Sequence, residues 1–160
     1  MKIEIHPLKW LYYNLNKDVK SVAVIMSSYE VRENKLDGLQ AKLILSFNDI
    51  TDRKNPSAFN EDLARQICDF ISDIPEDAEV LYVCCDSGES RSSAVTAAIL
   101  RYSGADDMKI WKNPAFHPNP LVYELMCQAF GIVLTDGEVQ KKVEINNNAL
   151  SEKIVNARKN

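Results

Sequence analysis

Apolar runs bounded by polar segments predict four β-strands along the chain. Lys20 to Ser28 and Val80 to Cys85 are continuous apolar runs rich in β-branched residues, which is typical of strands buried on both faces. Lys2 to His6 and Ala41 to Phe47 predict two further short strands. The chain therefore supplies enough strands for a central sheet.

Helical spacing of apolar residues recurs between these strands. It predicts a short helix opening at Pro7, and longer helices over Ser57 to Ile74, Arg91 to Tyr102 and Leu121 to Phe130. Pro75, Gly104 and Gly131 stand where the three longer helices end. Since strands alternate with helices, we predict an α/β fold with a mainly parallel sheet flanked by helices.

The last part of the chain is predicted to be a helical tail, residues 136–160, within a single domain of residues 1–160. Approximate helical spacing runs from Val139 to Ile154 across a weak break at Asn146, Asn147 and Asn148. This tail either docks on its own domain or pairs two chains. Both a monomer and a homodimer are therefore compatible with the sequence.

Composition narrows the class of protein. The chain has 160 residues, 46% of them apolar, and a formal net charge of −4 with an isoelectric point near 5.2. Without a dense basic run, nucleic acid and anionic membranes are not expected partners. The amino terminus lacks the apolar core of a signal peptide, so we expect a cytoplasmic protein. The four cysteines show neither disulfide density nor metal-ligand spacing, and no structural metal is expected.

The stretch from Val80 to Ser103 carries the clearest chemistry. A buried strand delivers Cys85 to its carboxyl end, and in open α/β sheets ligands bind at that end. Gly88 allows the following loop to turn its backbone N–H groups inward, and the helix that opens near Arg91 adds its positive dipole end. Arg91 can bind two oxygens of one anion. This pattern predicts a site for a tetrahedral oxyanion.

A cysteine in such a site is suited to nucleophilic catalysis. The helix terminus, the inward amides and the guanidinium all favour a thiolate. Ser92 can donate a hydrogen bond that makes the sulfur a better leaving group in a second step. The implied reaction is transfer of a phosphoryl group to Cys85, followed by hydrolysis.

The motif C-x5-R-S, formed by Cys85, Arg91 and Ser92 around the loop, resembles the cysteine-dependent protein tyrosine phosphatases of the compact dual-specificity type. The resemblance implies hydrolysis of phosphotyrosine, with phosphoserine and phosphothreonine as further candidates, in proteins or small phosphomonoesters and without a cofactor. It also implies that the phosphate is held by a loop of six residues: Asp86, Ser87, Gly88, Glu89, Ser90 and Arg91. Asp86 and Glu89 stand where members that hydrolyse phosphoinositides tend to carry lysines, which favours a singly phosphorylated substrate.

The chain departs from this family pattern immediately before the nucleophile, where Cys84 replaces the usual histidine. Two interpretations of Cys84 are open. It packs in the core as a small apolar residue, or it is a redox partner that forms a reversible disulfide with Cys85.

The general acid is expected after the third strand. Phe47-Asn48-Asp49 resembles the F-x-D form of the acid loop in this family, and Asp52 is the reserve candidate because it follows three residues later. Asp52 also fits a turn before Pro56. The segment FHPNPLVYELM from Phe116 to Met126 strengthens the resemblance to a small bacterial branch of these phosphatases.

Several alternatives remain at this level. The missing histidine and the unsettled acid are compatible with a pseudo-phosphatase that binds phosphorylated ligands with negligible turnover. Sulfur transfer, as in rhodanese-like domains, also uses a strand-end cysteine, but Arg91 and Ser92 favour phosphate. His117 either reaches the anion site or is an ordinary loop residue, and Trp10, Tyr12 and Tyr13 either pack in the core or line a pocket for an aromatic substrate.

Overall fold

The computed structural model describes residues 1–159, and its centre is a four-stranded parallel sheet. The strands are β1 (Lys2–Pro7), β2 (Ser21–Ser27), β3 (Ala41–Ser46) and β4 (Val80–Cys85). Their order across the sheet is β1-β4-β2-β3, and every neighbouring pair is parallel. The predicted α/β architecture, a parallel sheet flanked by helices, is confirmed.

Within residues 1–159, six α-helices connect and cover the strands, and a short 3-10 helix (Glu33–Lys35) lies between β2 and β3. The α-helices are α1 (Leu8–Asn14), α2 (Glu61–Ser72), α3 (Arg91–Tyr102), α4 (Met108–Trp111), α5 (Pro120–Ala129) and α6 (Glu138–Arg158). The helix predicted from Ser57 begins later, because the Asn60 side chain accepts a hydrogen bond from the Leu63 backbone N–H (3.0 Å) and so caps the helix there. Within the described part of the chain, no helix combines the length and apolar character needed to cross a membrane.

The two faces of the sheet are covered unequally. Alternate residues of β2 and β4, among them Val24 and Cys85, pack with α2, α3 and α5 in the larger core cluster. The residues between them, among them Ile25 and Cys84, pack with Leu8 and Leu11 of α1 in the smaller one. Because successive strand residues point to opposite faces, the two consecutive cysteines of β4 lie in different layers.

The strand register brings the carboxyl ends of all four strands to one edge. Cys85 pairs with Pro7 of β1 on one side and with Met26 of β2 on the other, and Ser27 of β2 pairs with Ser46 of β3. The loops that follow β2, β3 and β4 therefore meet at this edge. It is the place at which open α/β sheets bind their ligands.

The predicted break in the tail is absent, and α6 runs as one helix through the three asparagines. Asn146 is buried, and its side-chain amide donates to the backbone carbonyls of Trp111 and Phe116 (3.0 Å each). One turn earlier, Lys142 donates to the buried Asp107 carboxylate (3.0 Å). These tertiary bonds offset the low helix propensity of asparagine, and they dock the first half of α6 on its own chain.

Candidate active site

The Cys85 thiol lies at the carboxyl end of β4 and is 1% exposed. Its sulfur is 3.1 Å from the Ser92 hydroxyl oxygen in the first turn of α3. The two residues are seven positions apart and meet because the intervening loop turns back on itself. The structure therefore brings together the predicted nucleophile and the hydroxyl that was expected to assist it.

The loop of residues 86–91, hereafter the anion loop, turns at Gly88. The backbone φ of Gly88 is 72°, in the left-handed region that favours glycine. A Cβ atom at this position would lie only 2.5 Å from the backbone nitrogen of Pro7, at the end of β1. The loop is thus packed directly against the neighbouring strand, and only glycine fits.

The anion loop leads into α3 without a side-chain cap. Ser90 occupies the N-cap position and makes no capping hydrogen bond. Among the hydrogen bonds of residues 1–159, the backbone N–H groups of Gly88, Ser90, Arg91 and Ser92 have no acceptor. Free N–H groups at a helix N-terminus, with the positive end of the helix dipole, favour an anion.

Substitution of Gly88 by alanine is expected to distort this loop. The left-handed conformation costs an alanine about 1–2 kcal/mol, and the alanine Cβ would also collide with the backbone of β1. We expect a loss of more than about 2 kcal/mol in the free energy of unfolding, a fall in the thermal midpoint of about 6 °C, and loss of vanadate binding.

Gly104 provides the matched control for this substitution. Its φ is 76°, but a Cβ atom there would meet no atom within 4 Å. Gly104→Ala therefore carries the conformational cost without the collision, and should retain oxyanion binding. Equal effects of the two substitutions would contradict the close packing of the loop against β1.

The Arg91 side chain points from α3 toward the ends of β2 and β3 and is buried at 4% exposure. Its Nη1 donates to the Phe47 carbonyl oxygen (2.7 Å) and to the Ser28 hydroxyl (3.1 Å), and its Nη2 donates to Asp86 Oδ2 (2.6 Å). Its Nε is buried and has no partner among the described residues. A buried donor without an acceptor is costly, so the unpaired Nε at the end of the anion loop indicates a site for an oxyanion.

Asp86 is bound into the same network. Its carboxylate accepts from the Ser27 hydroxyl (2.6 Å), the Ser28 backbone N–H (3.0 Å) and Arg91. Partial burial acts to raise the pKa of this carboxyl group, but the hydrogen bonds from Ser27, Ser28 and Arg91 together hold the pKa below its ordinary value. Asp86 is therefore a carboxylate across the neutral pH range.

The two candidate acids occupy different environments. Asp49 Oδ1 accepts from the Ser90 hydroxyl of the anion loop (2.9 Å) and from the Asn119 side-chain amide (2.7 Å). Asp52 is exposed, and among residues 1–159 its carboxylate accepts only from the nearby Lys54 backbone N–H (3.0 Å), as turn residues do. The structure thus brings Asp49, and not Asp52, to the anion loop.

Four groups of this site were not among the predicted site residues: Ser27, Ser28, Asn119 and the Phe47 carbonyl. Their contacts join residues more than 40 positions apart in the chain. Asn119 carried one local signal, because Asn before Pro120 is a typical helix N-cap, and its Oδ1 does accept from Leu121 and Val122. Nothing local indicated that its amide also holds Asp49.

The placement of Cys84 opposes the redox-partner interpretation. Its thiol packs on the α1 face of the sheet, whereas the Cys85 thiol lies on the α3 face, and both are free. A disulfide between them would require the strand to lose its alternation. Burial, with a smaller effect of Cys85, raises the pKa of Cys84 to about 12, so this thiol is unreactive.

Among the open alternatives, His117 behaves as a loop residue. Its backbone N–H donates to the Glu89 carbonyl (3.0 Å), and the Asn119 N–H donates to the Ser90 carbonyl (3.3 Å), so this segment supports the anion loop from outside. The imidazole is exposed and its Nδ1 lies 3.1 Å from Asn146 Oδ1 of α6. Among the hydrogen bonds of residues 1–159, the imidazole makes none with Cys85 or Arg91.

A cavity of about 500 Å³ adjoins the anion loop between α1 and the loop that follows β2. Tyr12, Tyr13 and Tyr29 line it, and Ser27 and Asp86 form the wall that it shares with the oxyanion site. Tyr13 and Tyr29 are 66% and 77% exposed. Trp10 does not line the cavity and instead stacks on His6 with ring centroids 3.5 Å apart.

Comparisons with known proteins give similarity at the level of solved structures alone. No family model and no curated protein sequence matches the chain. Human DUSP28 with the substitution Y102H has a TM-score of 0.49 at 15% identity, covering 94% of this chain and 92% of that one. PTPMT1 in complex with PI(5)P has a TM-score of 0.48 at 16% identity, with 95% and 94% covered.

A third similar structure is the core catalytic domain of the PP-IP phosphatase SIW14 from S. cerevisiae in complex with citrate, with a TM-score of 0.43 at 13% identity, covering 98% of this chain and 86% of that one. Sequence identities of 13–16% with TM-scores below 0.5 do not assign an activity to this chain.

Proposed function

We propose that this protein is a cysteine-based phosphatase that hydrolyses phosphomonoesters through a cysteinyl-phosphate intermediate. The observation that carries the proposal is the buried Arg91 guanidinium, whose Nε has no partner among residues 1–159, at the end of the loop that joins Cys85 to Ser92. The thiol of Cys85, a guanidinium that can bind two oxygens, and free backbone N–H groups at the N-terminus of α3 belong to this one segment. These are the groups that phosphoryl transfer to sulfur requires.

In the first step, the Cys85 thiolate attacks phosphorus. A sulfur–phosphorus bond forms while the bond between phosphorus and the ester oxygen breaks, and Asp49 gives its proton to that leaving oxygen. Arg91 and the backbone N–H groups of the anion loop bind the three equatorial oxygens, where charge is spread in the transition state. Asp49 enters this step because Ser90 and Asn119 hold it at the loop.

In the second step, water attacks the cysteinyl phosphate. Asp49, now a carboxylate, accepts a proton from the water, the sulfur–phosphorus bond breaks, and inorganic phosphate is formed. The Ser92 hydroxyl, 3.1 Å from the sulfur, donates a hydrogen bond to the departing thiolate. The enzyme thereby returns to its starting state without a cofactor.

The proposed substrate is a singly phosphorylated aryl ester such as phosphotyrosine in a protein or small molecule. The tyrosine-lined cavity beside the anion loop offers aromatic rings to the substrate. Asp86 and Glu89 place negative charge around the oxyanion site, which disfavours a ligand carrying several phosphates.

The test is hydrolysis by the wild-type protein of para-nitrophenyl phosphate, a phosphotyrosyl peptide, a phosphoseryl peptide and a polyphosphorylated inositol lipid. We expect turnover that vanadate inhibits, with kcat/KM on the phosphotyrosyl peptide at least about tenfold above that on the lipid. Preference for the lipid would overturn the proposed substrate class. Binding of vanadate without turnover of any substrate would instead favour the pseudo-phosphatase.

A further inference from the structure

The contacts of Arg91 leave one edge of its guanidinium open. A guanidinium has five N–H donors. Phe47 and Ser28 take both donors of Nη1, and Asp86 takes one of Nη2. What remains is the Nε–H, which is buried and unpaired in the described part of the chain, and one Nη2 donor. Nε and Nη2 are the pair of nitrogens that binds two oxygens of a phosphate.

Asp86 engages Arg91 in a way that preserves this edge. Only its Oδ2 contacts the guanidinium, at Nη2, while its Oδ1 accepts from the Ser27 hydroxyl. A carboxylate that competed with phosphate would place both oxygens against Nε and Nη2. The backbone N–H of Ser28 fixes Oδ2 as well, so the orientation of the carboxylate is set by β2 and not by Arg91 alone.

We propose that Asp86 is a positioning residue that holds Arg91 with its Nε edge open to the oxyanion. This inference rests on the proposed function and deepens it. A buried guanidinium needs a counter-charge when no substrate is bound, and Asp86 supplies it from the side that the phosphate does not use. Because the side chain is already ordered, less conformational entropy is lost on binding.

The proposal and simple charge repulsion predict opposite changes in oxyanion affinity when Asp86 loses its charge. Removing a negative charge from an anion site should tighten oxyanion binding if repulsion were the only effect of Asp86. If Asp86 positions Arg91, its removal should weaken binding. Glu89 provides the comparison, since its side chain is exposed in the same loop and is not among the hydrogen-bond or ion-pair partners of Arg91 within residues 1–159.

The experiment measures the dissociation constants of inorganic phosphate and vanadate for the wild type, Asp86→Asn, Asp86→Ala, Asp86→Glu and Glu89→Gln. We expect binding to weaken about tenfold or more in Asp86→Ala, somewhat less in Asp86→Asn, and to recover in part in Asp86→Glu. Glu89→Gln should bind both anions up to about twofold more tightly. In steady-state kinetics on para-nitrophenyl phosphate, both Asp86→Asn and Asp86→Ala should show a higher KM than the wild type.

Oxyanion affinity in Asp86→Asn equal to or tighter than that of the wild type would overturn the proposal. Thermal unfolding of each variant shows whether weaker binding comes from an unfolded protein or from a displaced Arg91 side chain. Ser27→Ala removes one of the three hydrogen-bond donors to Asp86 without changing the charge, and it should also weaken oxyanion binding. A wild type that binds vanadate without turnover would refute hydrolysis while leaving the Asp86 comparison intact. A wild type that binds neither anion would overturn both.

Discussion

Replacement of Cys85 by serine is expected to lower kcat on para-nitrophenyl phosphate at least about 10³-fold. A serine hydroxyl at the end of β4 is a far weaker nucleophile than a thiolate, and no other described group is placed to attack phosphorus along the same path. The oxyanion contacts of Arg91 and the loop amides remain, so vanadate binding should be retained. Rapid acid quenching of the wild type during turnover should trap a phosphoryl group on Cys85, detected by mass spectrometry.

Cys84→Ala is the matched control, because it changes the neighbouring cysteine on the opposite face of the sheet. We expect its kcat to stay within about threefold of the wild type, and its sensitivity to peroxide to be unchanged. Turnover by Cys85→Ser at the wild-type rate would contradict the assignment of the nucleophile. If the wild type regained activity when reduced after peroxide treatment and Cys84→Ala did not, this result would support the interpretation of Cys84 as a redox partner.

Replacement of Asp49 by asparagine is expected to lower kcat about 10²- to 10⁴-fold. The amide keeps an oxygen to accept from Ser90 and Asn119 but has no proton to give to the leaving oxygen. The effect should be largest for poor leaving groups, such as the alkoxide of phosphoserine, and smallest for para-nitrophenol. The ratio of the rates on para-nitrophenyl phosphate and on a phosphoseryl peptide should therefore be larger in the variant than in the wild type.

Asp52→Asn tests the same assignment from the other side. Asp52 accepts a hydrogen bond from Lys54 in an exposed turn, so the variant should keep the wild-type ratio of rates on these two substrates and at least about half of the wild-type rate. A wild-type ratio of these rates in Asp49→Asn, or a raised ratio in Asp52→Asn, would transfer the role of general acid to Asp52. Either result would require the loop after β3 to rearrange when substrate binds.

The local patterns of the sequence predicted the core of this fold well. The strand ending at Cys85 and the helix from Arg91 to Tyr102 lie where the pattern placed them. Such elements are readable because hydrophobic periodicity and helix end signals are properties of a few neighbouring residues. The start of α2 was predicted too early and the tail was given a weak break, because the cap at Asn60 and the tertiary bonds of Asn146 override propensity.

The sequence alone determined the chemistry available at the end of β4: a cysteine, a glycine turn, an arginine and a hydroxyl within eight residues. It left open which aspartate reaches that loop, what Cys84 does, and how Arg91 is held. Tertiary structure decided these points through contacts between residues far apart in the chain, such as Asp49 with Asn119 and Ser27 with Asp86. Such pairings depend on how strands and helices pack, and no local pattern records that packing.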